Sequence, residues 1–261
     1  MIGTQAQRLL GWAQLKDRTT LTAGEVARAL ALTSDQERKL LSRMTRAGLL
    51  SRVQRGRYLI PAKLPPGGSW NPGEYVLLTG LMQTLGARYQ IGGPNAFQRY
   101  SLETQVPSMI YVYNDRLSGR RTIGGLPFVF IKVEAKRLGG TVANRLPDGT
   151  TVWMASLART LMDAVYDWTR FNTLPRAFQW IRERARERGV GRDLVTMAAR
   201  YGNISTKKRV GYLLESMGEG NLTQPLKRAA SKSALLIPFD PSRPARGRVV
   251  REWGLIDNIP S

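Results

Sequence analysis

Along the first sixty residues the apolar positions change their period once. In TQAQRLLGWAQLK, residues 4 to 16, Leu9, Leu10 and Ala13 fall on one side of a helix. In the next segment, TTLTAGEVARAL, Thr22 and Glu25 have capping-box spacing, which predicts a short helix carrying Val26, Ala29 and Leu30. TSDQE repeats the device with Ser34 and Glu37, ahead of a third helix whose Leu40, Leu41, Met44 and Ala47 share a face. Gly48 is placed to stop it. The period then shortens: LLSRV and RYLI read as two strands joined through Gln54-Arg55-Gly56. Three short helices and a hairpin outline a winged helix-turn-helix over residues 1–62.

PAKLPPGGSWNPG, residues 61 to 73, is too rich in Pro and Gly to continue either element, so 63–73 reads as a linker and 74–261 as a second domain. There EYVLLTGLMQTLG has helical period, while SMIYVYN, LPFVFIKVEA and DGTTVWMA carry the β-branched and aromatic residues of strands. From Ser156 the pattern is helical: SLARTLMDAVYDWTR, LPRAFQWIRERARERG, GRDLVTMAARYG and STKKRVGYLLESMG, then a short α segment near TQPLKRAASKS and a tail ending in two strands. The expected class is α+β, mixed α/β: a winged helix-turn-helix followed by a larger domain with a helical second half.

Charge adds the direction. Forty Lys and Arg stand against 19 Asp and Glu, a net +21. So strong a positive potential favours polyanions, with nucleic acid as the default partner. Neither Cys nor His occurs. Their absence removes disulfides, thiolate chemistry, the serine–histidine triad and imidazole metal sites. No apolar run is long enough for a transmembrane helix, and MIGTQAQRLLGW lacks the apolar core of a secretory signal, so a cytoplasmic protein without membrane contact is expected.

With its apolar face committed to the core, the third helix turns Arg38, Lys39, Ser42 and Arg46 outward, with Gln36 and Arg43 on the flank. In a winged helix this face enters the major groove, where Arg or Lys bonds guanine and Gln bonds adenine. Arg43 and Arg46 suit phosphates, which position without specifying. Asp35 and Glu37, at the helix start, fit the cap. Arg52, Arg55 and Arg57 on the hairpin suit backbone contact. The bland alternatives are a solvated basic face and charge protection of a hairpin edge. The arginines of LPRAFQWIRERARERG around buried Leu174, Phe178 and Ile181 read as a solvated face with helical ion pairs. Lys207-Lys208-Arg209 is an ambiguous basic cluster, and Trp153 and Met154 read as core.

Enzyme chemistry has thin support. Asp115 after IYVYN and Glu134-x-Lys136 after FVFIKV have the order of a Mg-dependent endonuclease core, but acid-x-Lys at a strand end recurs by chance and no third acid stands nearby. IGGPNAF and LGGTVAN lack the phosphate-loop pattern. Neither catalytic residues nor a metal or cofactor is expected.

A succession of blocks resembles a known family. RYQIGGPNAFQRYSLETQVPSMIYVYN, FVFIKV, LPDGTTVWMASLARTLMDAVYD and RVGYLLESMG are similar in order and spacing to the AbiEi family of abortive-infection antitoxins. With the N-terminal helices, the resemblance covers most of residues 4 to 217, departing at Arg99-Tyr100-Ser101, near where the family carries a His-Gly pair. It implies an antitoxin of a type IV toxin–antitoxin pair that represses its own operon through inverted repeats. Its second domain would oppose a nucleotidyltransferase-like toxin without a stable complex. The alternative is a plain winged-helix regulator with a sensing domain.

Overall fold

The computed structural model describes residues 3–61, 63, 68–147 and 149–259, so residues 62 and 64–67 of the expected border lie outside the described residues. In chain order the first elements are α1 (Thr4–Leu15), β1 (Thr20–Thr22), α2 (Glu25–Leu30), α3 (Ser34–Arg46), β2 (Ser51–Gln54), β3 (Arg57–Leu59) and α4 (Glu74–Thr84). β4 (Tyr89–Ile91), α5 (Pro94–Arg99), β5 (Ile110–Asn114), β6 (Gly119–Ile123), β7 (Leu126–Lys132), β8 (Thr141–Arg145) and β9 (Thr151–Ala155) follow. The rest is α6 (Leu157–Tyr166), α7 (Trp168–Phe171), α8 (Arg176–Arg184), α9 (Val190–Tyr201), α10 (Ile204–Ser216), α11 (Gln224–Ala230), β10 (Ile237–Pro238), β11 (Arg248–Val250) and β12 (Leu255–Asp257). Among the described residues this is a mixed α/β fold with three sheets, ordered β1-β3-β2, β10-β12-β11 and β6-β7-β5-β4-β9-β8.

Contacts divide the chain into two units: residues 1–89, 114–132 and 145–152, and residues 90–113, 133–144 and 153–261. In the first unit Leu9, Leu10, Val26, Leu40, Leu41 and Met44 of α1 to α3 close on Leu21 and Ile60. β1 pairs antiparallel with β3, Leu21 opposite Tyr58, and β3 pairs antiparallel with β2. Ala29 and Ala47, expected on the buried faces of their helices, are exposed; four buried positions in α3, Glu37, Leu40, Leu41 and Met44, already fill its inward stripe.

This unit runs past the expected border at residue 62. Arg57 Nη1 donates to the Thr84 carbonyl at the end of α4 (3.2 Å). Gly80 of α4 has no Cβ, and one built there would lie 2.4 Å from a methyl carbon of Leu59. The β6–β7 hairpin turns at Gly124, with φ +58, where a Cβ would meet Leu77 at 2.7 Å. Helix α4 and that hairpin therefore pack with β2 and β3, through contacts no linear boundary anticipates.

The second unit is built around α6, α8, α9 and α10, whose Leu161, Met162, Phe178, Ile181, Leu194, Val210, Leu213 and Leu214 share one core with Trp253. Leu174 joins them as expected. Lys208 and Arg209, two of the three residues of the ambiguous basic cluster, are buried. Lys208 Nζ donates to the carbonyls of Ser233 and Leu235. Arg209 donates to those of Phe239 (3.0 Å) and Pro238 (3.1 Å), and its burial lowers the guanidinium pKa to about 10. Met154 is buried as expected, but Trp153 is 45% exposed. Adjacent strand residues face opposite sides of a sheet, so only one of the pair reaches the core. Among the described residues no helix is long and apolar enough to cross a membrane.

Candidate nucleic-acid interface

Helix α3 is set by its N-terminus. Thr33 is the N-cap: its hydroxyl accepts from the Gln36 N–H (3.3 Å), and Gln36 Oε1 accepts from the Thr33 N–H (2.9 Å). The capping box therefore lies one residue earlier than the Ser34/Glu37 frame. Ahead of α2 only half of the expected Thr22/Glu25 box forms, the Thr22 N–H donating to Glu25 Oε2 (3.3 Å), and the N-cap is Gly24.

Glu37 is freed for a different task. It is 5% exposed, and its carboxylate accepts from the Gly24 N–H (2.8 and 2.9 Å) and the Ala27 N–H (2.8 Å). These are orphan donors of the first turn of α2, where the helix dipole favours an anion. One side chain of α3 thus caps the preceding helix and fixes the angle between the two. Glu37→Ala is expected to destabilise the first unit by about 3 kcal/mol, because two buried donors lose a charged acceptor. Hydrogen exchange of amides 24–30 should accelerate roughly a hundredfold, with Glu37→Gln in between. Unchanged protection would rule out this capping role.

With Glu37 turned inward, Arg38, Lys39, Ser42, Arg43 and Arg46 remain exposed on the outer face of α3, which a helix rise of about 1.5 Å per residue makes roughly 20 Å long. Arg38 Nη2 and Lys39 Nζ both bind Asp35, at 2.5 and 2.8 Å. Hydrogen bonds from these two cations hold the Asp35 carboxyl below its usual range, and the Asp35 bond raises Arg38 in turn. Arg46 donates weakly to Ser42 Oγ at 3.5 Å.

The β2–β3 turn places Arg55 beside Gly56, whose φ of +70 the tight tip requires. Gly56 also anchors the tip, its carbonyl accepting from the Ala23 N–H at 2.7 Å. Arg38, Ser42 and Arg46 from α3 and Arg52 and Arg55 from the hairpin line a single groove of about 580 Å³, with Ser34 and Tyr58 in its walls. The side chains of Arg43 and Arg55 form no ion pair or hydrogen bond among the described residues. Four expected members lie outside this groove; Lys39 and Arg43 line a second one along α3 with Arg38, Ser42 and Arg46. Gln36 has its carboxamide oxygen in the cap, and Arg57 is half-buried with its guanidinium on Thr84. Reading the sequence missed Ser34 and Tyr58 as groove residues. The T-x-x-Q spacing of Thr33 and Gln36 was the available sign that Gln36 serves the cap.

The residues considered for metal chemistry fall in different units. Asp115 accepts from the Arg88 N–H at 3.1 Å in the first unit, whereas Glu134 and Lys136 belong to the second. Glu134 and Lys136 pair with each other at 2.7 Å, 72% and 79% exposed, and that hydrogen bond raises the Lys136 pKa. Among the described residues no group of three acids is placed to hold a metal ion. The arginines 182, 186 and 188 are exposed as expected, with Arg184 paired to Glu187 (3.0 Å).

Fold and surface together define a mixed α/β protein of two units whose first unit presents a cationic helix and hairpin tip. The crystal structure of RV2827C protein from Mycobacterium tuberculosis is similar, with a TM-score of 0.61 at 17% identity over 99% of this chain and 93% of that one, a likeness of fold alone. No family model matches the chain, and no curated protein matches it.

Proposed function

We propose that the first unit is a winged helix-turn-helix that binds duplex DNA, with α3 in the major groove and the β2–β3 tip on the phosphate backbone. We further propose that the chain is a non-enzymatic antitoxin that represses its own operon at inverted repeats and opposes a nucleotidyltransferase-like toxin. The convergence of Arg38, Arg46, Arg52 and Arg55 on one groove carries the DNA reading. The element order α1-β1-α2-α3-β2-β3, with β1 on β3, supports it. A major groove about 12 Å wide admits a helix such as α3. The antitoxin reading rests on the sequence blocks that resemble AbiEi proteins.

Titrating duplex DNA from upstream of the gene against salt tests the first part. Arg55→Ala should lower the slope of log K against log salt by about 0.9, the loss of one phosphate contact. Arg57→Ala, whose guanidinium is held by Thr84, should leave the slope unchanged. Equal slopes for wild type and Arg55→Ala would refute the placement of the tip. Co-expression with the toxin of the neighbouring gene tests the second part: growth should be restored, and continued arrest would leave a plain regulator.

A further inference from the structure

The outer face of α3 is a surface of donors. Asp35 Oδ1 accepts from Arg38 and Oδ2 from Lys39. Gln36 Oε1 accepts from the Thr33 N–H, and Glu37 is folded inward onto Gly24 and Ala27. The Thr45 hydroxyl donates to the Leu41 carbonyl at 2.8 Å. The carboxylates and the carboxamide oxygen in the first half of the helix therefore each already accept a hydrogen bond within the protein, Asp35 and Gln36 at exposed positions and Glu37 at a buried one. What faces outward is Arg38, Lys39, Arg43 and Arg46, with the hydroxyls of Ser34 and Ser42, and the hairpin adds Arg52 and Arg55.

Base edges sort against such a surface. Cytosine and adenine present an exocyclic amine to the major groove, which needs an acceptor from the protein; thymine presents one carbonyl and a methyl group. Guanine alone presents two adjacent acceptors, N7 and O6. Building on the DNA reading above, we propose that this protein reads its site through guanines, with Arg38 as the principal reader. Arg38, Ser42 and Arg46 line both grooves along α3, and of the three Arg38 alone is braced by a carboxylate among the described residues. The Asp35 bond holds its side chain while occupying one of five N–H donors, leaving a fork free for N7 and O6. Duplex RNA is a poor fit because its major groove is too deep and narrow for side chains to read.

The test uses the full chain. Binding sites are selected from a random duplex library, and affinity is measured for the selected duplex with 7-deaza-dG or 7-deaza-dA placed singly at each position. The proposal expects guanines at the positions that matter, a loss of about tenfold when N7 of a contacted guanine is removed, and little change for adenine. Arg38→Ala, at an exposed position, should lose the distinction between the guanine site and its adenine-substituted version while keeping salt-sensitive binding. Selected sites without guanine, or indifference to 7-deaza-dG, would overturn guanine reading and leave DNA binding standing. Failure to bind any duplex DNA, or equal affinity for duplex RNA, would overturn both readings.

Discussion

Replacing Arg159 with leucine is expected to cost the second unit about 3–5 kcal/mol. Arg159 is fully buried. Its Nε donates to Asp163 Oδ2 at 2.7 Å, Nη1 to the Gly139 carbonyl at 2.8 Å and Nη2 to the Arg137 carbonyl at 2.8 Å. Its guanidinium carbon lies 4.5 Å from the centre of the Tyr201 ring. Leucine fills the volume but leaves two carbonyls without a donor and Asp163, 2% exposed, with only Arg137 at 3.3 Å. A buried charge deprived of its partner is the expensive case, whereas removing both partners is mild. The double variant Arg159→Leu/Asp163→Leu should therefore recover part of the loss. Thermal unfolding of the three proteins decides it, with the single variant melting roughly 10 °C lower. A single variant as stable as wild type would show that Arg137 alone satisfies Asp163.

The two units use arginine oppositely. In the second, Arg159 and Arg209 spend their forks on internal carbonyls, tying a loop and the C-terminal segment to α6 and α10. In the first, the arginines of α3 and Arg52 and Arg55 of the hairpin point outward and the acids are drawn inward or neutralised. Net charge cannot tell these roles apart, because it counts buried and exposed cations alike.

That difference explains what the sequence made legible. The stripe of Leu40, Leu41 and Met44, the glycine stop at Gly48 and the buried Leu174, Phe178 and Ile181 follow from helical period, and the structure has them all. The set of outward cations on α3 follows by subtraction from that stripe. What escaped was long-range. Thr33/Gln36 and Ser34/Glu37 are overlapping frames of equal local merit, and the partner of Glu37 on α2 decides between them. Arg57 resembles Arg55 in sequence, yet a carbonyl 27 residues away engages it. Lys208 and Arg209 stay ambiguous in sequence because nothing nearby reveals the carbonyls of residues 233 to 239 that hold them. Strand β1, three residues long, is defined by pairing with β3 rather than by its own pattern.

Charge position, rather than total charge, should govern affinity for DNA. On the proposed DNA reading, the variant Arg43→Gln/Arg46→Gln/Arg52→Gln/Arg55→Gln is expected to bind duplex DNA about a thousandfold more weakly at about 0.15 M salt, because each lost phosphate contact forfeits roughly 0.7 of a decade there. Its salt slope should fall by about 3.5. All four side chains are exposed, so its unfolding midpoint should match wild type. A second variant removes the same charge elsewhere: Arg182→Gln/Arg186→Gln/Arg188→Gln/Arg192→Gln, four exposed positions in the second unit. These residues line neither groove along α3, so on the proposed reading they make no phosphate contact and this variant should keep the wild-type slope. Equal losses from the two would mean that the protein binds DNA as a diffuse polycation. A slope that falls only with the second set would move the interface to α8 and α9. The groove between α3 and the hairpin, where Arg38, Arg46, Arg52 and Arg55 meet, requires the first set to dominate.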